Sequence, residues 1–374
     1  MGPLLSERFK DRLATVLIRA GGVLVILVVV GAGHRDSAIP GEDRPHVLAG
    51  SDLRDLLTGG GLARLVAEDG VRGVTSNPSI FQKAIEGSGP YDEAVANLLA
   101  VEPGMTTVQL YEALAIEDIQ HAADILRSVW DESQGGDGYV SFEVSPHLAR
   151  DTAGTVAEAR RLWQEVNRPN LMIKVPATPE GIPAIEDLIA GGINVNATLM
   201  FSLADYEAVA TAYLNGLEAN SNPAGVASVA SFFVSRVDTK VDAALEAIGT
   251  PEALSLRGRA AVANAKLAYR RFGELFGSEA FTTQSDRGAM VQRPLWASTS
   301  TKNPEYRDVI YVEELIGPDT VNTLPVATLE AFRDHGKPRA SLLEDVAGAE
   351  VVFAELAGVG IDIDAITAEL QVEG

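Results

Sequence analysis

The stretch NLMIKVPATPEGIPAIEDLIAGGINVNATL, residues 170–199, decides the fold. It opens with Leu171-Met172-Ile173-Lys174-Val175, an apolar run of strand length without the alternation of a half-solvated strand. A helical pattern follows at 183–190, and a second short apolar run at 193–199. Short unbroken runs separated by helices are the pattern of parallel strands covered on both faces.

Outward from this unit the alternation repeats. Runs at 73–77, 140–144, 226–234, 294–298 and 320–324 have strand length, and helical patterns at 155–166 and 205–220 separate some of them. Leu53, Leu56 and Leu57, then Leu62, Leu65 and Val66, fall at helical spacing on either side of Gly59-Gly60-Gly61, which predicts two helical pieces with a break. Seven strand candidates alternating with helices predict an α/β protein with a (β/α)8 TIM barrel whose first strand is disrupted or missing.

Residues 1–54 differ from the rest. The run 13–33 is apolar except for Thr15 and Arg19 and follows the charges of Glu7, Arg8, Lys10, Asp11 and Arg12, as in a signal anchor. Its unbroken part, 20–33, falls short of the about 20 residues that span a bilayer as a helix. Residues 34–50 hold Gly41, Pro40 and Pro45 and show neither period. The expected division is therefore an atypical segment 1–54 and a barrel 55–374.

Composition narrows the partners. In 374 residues, 52 acidic against 30 basic side chains give a formal charge of −22, which opposes binding of nucleic acid. Cysteine is absent, so no disulfide, thiolate metal site or cysteine nucleophile is available. His34, His46, His121, His147 and His335 lie far apart, and no metal site is expected. The sequence leaves the oligomeric state open.

In such a barrel the active site lies at the carboxyl ends of the strands. Lys174 is a lone cation among apolar neighbours. Burial there disfavours the ammonium form and frees a lone pair for attack on a carbonyl, whereas the plainer reading is a lysine that snorkels to water or pairs with a carboxylate. Glu143 can shuttle protons or form a salt bridge to Lys174. Asn196 and Thr198 share one face of their strand, able to bind substrate hydroxyls or water, or to be satisfied within the barrel. Asn77, before Pro78, either reaches a substrate or makes the turn. Arg236, Ser298 and Lys302 can grip a phosphate, and Arg236 can equally pair with an acid such as Asp238.

Five words in order carry a resemblance: Gly-Val-Thr-Ser-Asn-Pro-Ser-Ile-Phe at 73–81, Asn-Leu-Met-Ile-Lys-Val-Pro-Ala-Thr at 170–178, Gly-Ile-Asn-Val-Asn-Ala-Thr-Leu at 192–199, Ala-Ser-Phe-Phe-Val-Ser-Arg-Val-Asp at 230–238 and Arg-Pro-Leu-Trp-Ala-Ser-Thr at 293–299. From about Asp55 onward the chain resembles the transaldolase family, in its larger bacterial branch. The resemblance implies a cytoplasmic enzyme of the pentose phosphate pathway and of class I aldolase type, needing no cofactor. It would move a dihydroxyacetone unit from sedoheptulose 7-phosphate to glyceraldehyde 3-phosphate. It also implies Lys174 as Schiff-base lysine, Glu143 and Thr198 as the holders of a catalytic water, and Asn77 and Asn196 as ketose-orienting asparagines. Ser231 and Phe233 would line the site, with Arg236, Ser298 and Lys302 on the phosphate.

One departure stands out. The family carries an aspartate, in a Trp-Leu-Asp word, at the end of the first strand, and the position counted back from Asn77 is Gly50. Asp52 is two residues away, and bringing it into place demands a register shift that turns alternate side chains to the other face. Residues 47–53 can be back-translated so that the next reading frame spells Ser-Trp-Leu-Asp-Arg-Ile-Ser, directly before Arg54-Asp55-Leu56. Two origins for the segment follow: out-of-frame translation, or an anchor through 13–33 on a membrane-attached enzyme. The carboxyl end is expected to lack a family helix over the barrel mouth. A catalytically silent barrel that only binds sugar phosphate is the alternative function.

Overall fold

The computed structural model describes residues 27–31, 53–76 and 90–374. Seven strands run parallel in chain order: β2 (Gly73–Thr75), β3 (Tyr139–Glu143), β4 (Leu171–Pro176), β5 (Val195–Met200), β6 (Ser228–Phe233), β7 (Arg293–Ala297) and β8 (Val321–Leu324). All seven fall on the apolar runs read from the sequence. The two helical pieces expected around the glycine triplet are present as Leu53–Thr58 and Gly61–Asp69.

The eighth place is taken in an unexpected way. A barrel short of one strand leaves unpaired N–H and C=O groups along β2 and β8. Here β1 (Leu27–Gly31, LVVVG) fills that gap and closes the barrel, running antiparallel to both neighbours. Val28 stands opposite Val74 on one side and Leu324 on the other. A valine-rich segment meets the demand for β propensity, and an antiparallel ladder satisfies the same backbone groups as a parallel one. The first parallel strand of a standard (β/α)8 barrel is thus replaced. Within the run 13–33, these five residues are strand; the others lie outside the described residues, as do Gly50 and Asp52. No helix among the described residues is long and apolar enough to cross a membrane.

The main core lies between strands and helices. Leu171, Ile173 and Val175 point into this layer and are fully buried, as are Ile185, Leu188 and Ile189 of the helix Gly181–Ala190. Each such side chain stabilises the fold by about 1.5–3 kcal/mol relative to exposure. The alternate residues face the barrel interior, where Met172, Val229, Leu295 and Val321 form a separate apolar cluster. On the same face, Glu143, Lys174 and Asn196 lie one or two steps further along their strands. The interior therefore changes from apolar to polar toward the carboxyl ends.

Local signals set the helices that frame this end. Ser202 and Asp205 form a capping box that starts the helix Leu203–Ala219 directly after β5. Gly181 opens the helix after β4 so close to Pro176 that a Cβ would sit 1.9 Å from its carbonyl oxygen. At the mouth, the helix Ile363–Glu373 sends Gln371 Nε2 to the Ala177 carbonyl at 3.0 Å, just beyond β4. Its Glu369 and Glu373 pair with Lys240 of the helix Ser235–Ile248.

Candidate active site

Glu143 ends β3, and Lys174 is its register partner on β4. The Lys174 ammonium donates to Glu143 Oε2 at 2.9 Å, with only 10% of the lysine side chain and 14% of the glutamate side chain exposed. The salt-bridge reading of Glu143 is thus realised in the resting protein. It is compatible with chemistry, since the contact places a carboxylate within proton-transfer distance of the nitrogen.

Next along the wall stands Asn196, paired with Lys174 in the β4–β5 register. Its amide nitrogen donates to Ser141 Oγ at 2.9 Å, and its carbonyl oxygen accepts from Ser231 Oγ at 2.6 Å. These two contacts fix which way the amide faces and leave one N–H free of both partners. Ser141 was absent from the sequence reading. Its signal was its place two residues before Glu143 on the same strand face.

Thr198 is fully buried, and its hydroxyl has no hydrogen-bond partner among the described residues. An orphaned buried hydroxyl costs stability unless something else, such as a water, satisfies it. The backbone beside it is unusual: Leu199 has φ +62°, and the β5–β6 register shifts between Ala197 and Met200. A bulge here redirects the end of β5 at the site, and the left-handed conformation of a leucine stores strain.

Ser231 and Phe233 follow on β6. Phe233 packs against Phe201, ring centroids 5.0 Å apart, and the Arg236 guanidinium sits 5.2 Å from the centre of the Phe233 ring. Arg236 lies in the first turn of the helix Ser235–Ile248, which has no side-chain cap. Ser298, just past β7, has φ +57°; its hydroxyl is 2.9 Å from Ser235 Oγ and its carbonyl accepts from Ser235 N–H. Lys302 donates to Ser300 Oγ at 2.7 Å. Partial enclosure, and after it the nearby Arg236 guanidinium, hold the Lys302 ammonium below its ordinary pKa.

The structure thus brings Glu143, Lys174, Asn196 and Ser231 into one connected wall, and Arg236, Ser298 and Lys302 onto a neighbouring stretch of the rim. Arg236 does not pair with Asp238 in the way the plainer reading allowed, because Asp238 is buried and bonded elsewhere. Asn77 lies outside the described residues. Among the described residues no cluster of three or more His, Asp or Glu side chains is placed to hold a metal ion.

Comparison with known proteins bears on the family. The family model for Transaldolase/Fructose-6-phosphate aldolase matches residues 53–374. A transaldolase of Thiobacillus denitrificans is 54% identical over 325 residues, which cover 86% of this chain and 90% of the relative. A transaldolase of Frankia alni is 50% identical over 326 residues, 86% of this chain and 87% of its own. Transaldolase 1 of Streptomyces coelicolor is 49% identical over a stretch covering 86% and 85%. With the barrel, the buried lysine at the end of β4 and relatives at this identity over most of their length, the chain belongs to the transaldolase family.

Proposed function

We propose that the protein is a transaldolase that carries a dihydroxyacetone unit from sedoheptulose 7-phosphate to glyceraldehyde 3-phosphate through an imine on Lys174. Family membership supports the reaction class. The observation that carries the nucleophile is the 2.9 Å contact between Lys174 Nζ and Glu143 Oε2 inside the barrel mouth.

The neutral Lys174 amine attacks the ketose carbonyl, giving a carbinolamine. Loss of its hydroxyl as water needs a proton donor, and Glu143, after taking the lysine proton, can return one. The hydroxyl of Thr198, which finds no partner among the described residues, can hold the water that leaves here and that later hydrolyses the imine. The protonated imine is an electron sink. When the C3–C4 bond breaks, the C4 hydroxyl gives up its proton to a base or water, the aldose leaves, and the electron pair settles on the imine as an enamine. That enamine attacks the incoming aldehyde carbonyl, whose oxygen takes up a proton. Gly50 stands where the family has the aspartate that handles this proton.

Asn196, oriented by Ser141 and Ser231, suits a substrate hydroxyl, while Arg236, Ser298 and Lys302 suit the terminal phosphate. The amino end of the Ser235 helix adds a dipole of favourable polarity.

The test is borohydride trapping with fructose 6-phosphate, followed by mass spectrometry, beside a coupled turnover assay. A covalent adduct on Lys174 and turnover with both substrates are expected. Labelling elsewhere, or none in an active enzyme, overturns the imine assignment.

A further inference from the structure

The helix Ser235–Ile248, with Arg236 in its first turn, carries two carboxylates one turn apart, Asp238 and Asp242, both buried. Like charges at this spacing oppose each other, and burial adds to the cost. Each is held by one backbone N–H and one tyrosine hydroxyl. Asp238 accepts from Ala261 N–H at 2.7 Å and from the Tyr311 hydroxyl at 2.8 Å. Asp242 accepts from Gly258 N–H at 2.9 Å and from the Tyr306 hydroxyl at 2.7 Å.

Both tyrosines belong to one connection, the segment 298–313 that follows β7 and carries Ser298 and Lys302. The segment is fastened again by Arg257, which pairs with Glu305 and with Glu246 of the Ser235 helix. Gly258 has φ +70° and lies so close to Tyr306 that a Cβ would meet its ring at 2.8 Å. Within the segment, Thr301 Oγ donates to the carbonyls of Arg307 and Asp308. What these contacts hold together are two cations, Arg236 and Lys302, near enough that one lowers the pKa of the other. Without an anion between them their repulsion favours separation.

We infer that Tyr306 and Tyr311, clamped to Asp242 and Asp238, are positioning residues that hold the Lys302 segment against the Arg236 helix, so that the two cations form an anion site before a phosphate arrives. The inference rests on the reading of Arg236, Ser298 and Lys302 as the phosphate grip. Neither tyrosine touches substrate; the clamp removes the cost of assembling the site at the moment of binding.

The experiment compares glyceraldehyde 3-phosphate with unphosphorylated glyceraldehyde as acceptor, at saturating sedoheptulose 7-phosphate. The double variant Tyr306→Phe/Tyr311→Phe is expected to lower the ratio of the two kcat/KM values about tenfold, the scale of one or two lost hydrogen bonds, through KM for the phosphorylated acceptor. Reactivity toward glyceraldehyde and borohydride trapping should change little. Asp238→Asn, which can still bond Tyr311, should retain the ratio. If the double variant folds poorly, the half-buried Tyr306→Phe alone carries the test. An unchanged ratio in a folded variant, or an equal loss on both acceptors, overturns the clamp. Arg236→Gln runs in parallel: a collapsed ratio there beside an intact one in the tyrosine variant overturns the clamp alone. An intact ratio in Arg236→Gln overturns the phosphate grip and the clamp with it.

Discussion

Lys174 and Glu143 are bonded at 2.9 Å across the β3–β4 register, and each is the other's counter-charge inside the barrel. This pairing makes the roles of the two residues separable. Lys174→Met should abolish imine trapping altogether, since no nucleophile remains. Glu143→Gln keeps a polar side chain beside the amine and should still be trapped, while turnover falls about 100-fold or more, the range of a lost acid–base group. Equal loss of trapping and turnover in Glu143→Gln would show that the glutamate serves only to hold the lysine.

Thr198 offers a contrast, because its hydroxyl is buried yet bonded to nothing among the described residues. Thr198→Val therefore removes no hydrogen bond to a described residue. Chemical denaturation should place the variant within about 1 kcal/mol of the parent. Turnover should fall at least about tenfold if a water held there is used. A stability loss well beyond that figure would mean that the hydroxyl is structural.

Much of this architecture could be read before the structure, and the missing parts have physical reasons. The seven parallel strands announce themselves because each is buried on both faces and so reads as a short apolar run beside a helical period. Lys174 is conspicuous for the same reason, as a charge inside such a run. Leu27–Gly31 was hidden because a valine-rich run inside a longer apolar stretch fits a helix as well as a strand; an open pair of barrel edges decided between them. The contacts that orient the site were also hidden. Ser141 meets Asn196 across 55 residues, Asp238 meets Tyr311 across 73, and Asp242 meets Tyr306 across 64. No periodicity encodes such pairs. The bulge at Leu199 is likewise a product of the packed barrel, with no glycine at that position to announce it.

Asp238 gives the protein a pH dependence of defined sign. Burial, opposed by N–H donors from Ala260 and Ala261 and by Tyr311, and reinforced by Asp242, pushes its carboxyl up from 3.8 to about 6. The folded state therefore holds a proton that the unfolded chain has lost between these values. Stability from this group is fully present below the lower pKa and declines as pH rises through the higher one. From pH 4.5 to 7.5 the decline is about 2 kcal/mol. Asp238→Asn carries no such charge and can keep both hydrogen bonds, accepting from Ala261 and donating to the tyrosine oxygen. Urea titrations at the two pH values should show the variant gaining on the parent by about that amount as pH rises. A difference independent of pH would place the Asp238 titration outside this range.

The first strand supplies the most decisive experiment, because only one segment can occupy the place between β2 and β8. That place is held by Leu27–Gly31, which runs against both neighbours, while the resemblance puts Gly50 at the sequence position expected for the family aspartate. Replacing residues 47–53 by Ser-Trp-Leu-Asp-Arg-Ile-Ser, with residues 1–46 removed, offers the barrel a parallel strand ending in the missing acid. A parallel strand in register with β2 and β8 would both complete the sheet and bring a base to the C4 hydroxyl. Turnover should rise at least about 100-fold, the usual scale of general base catalysis. A matched variant with asparagine in place of the restored aspartate separates the two contributions: it completes the strand but cannot take a proton. If both versions gain alike, strand pairing was the limit and some other group serves as base. If neither gains, the antiparallel segment is no obstacle to the chemistry, and the origin of residues 1–53 in a shifted reading frame loses its functional support.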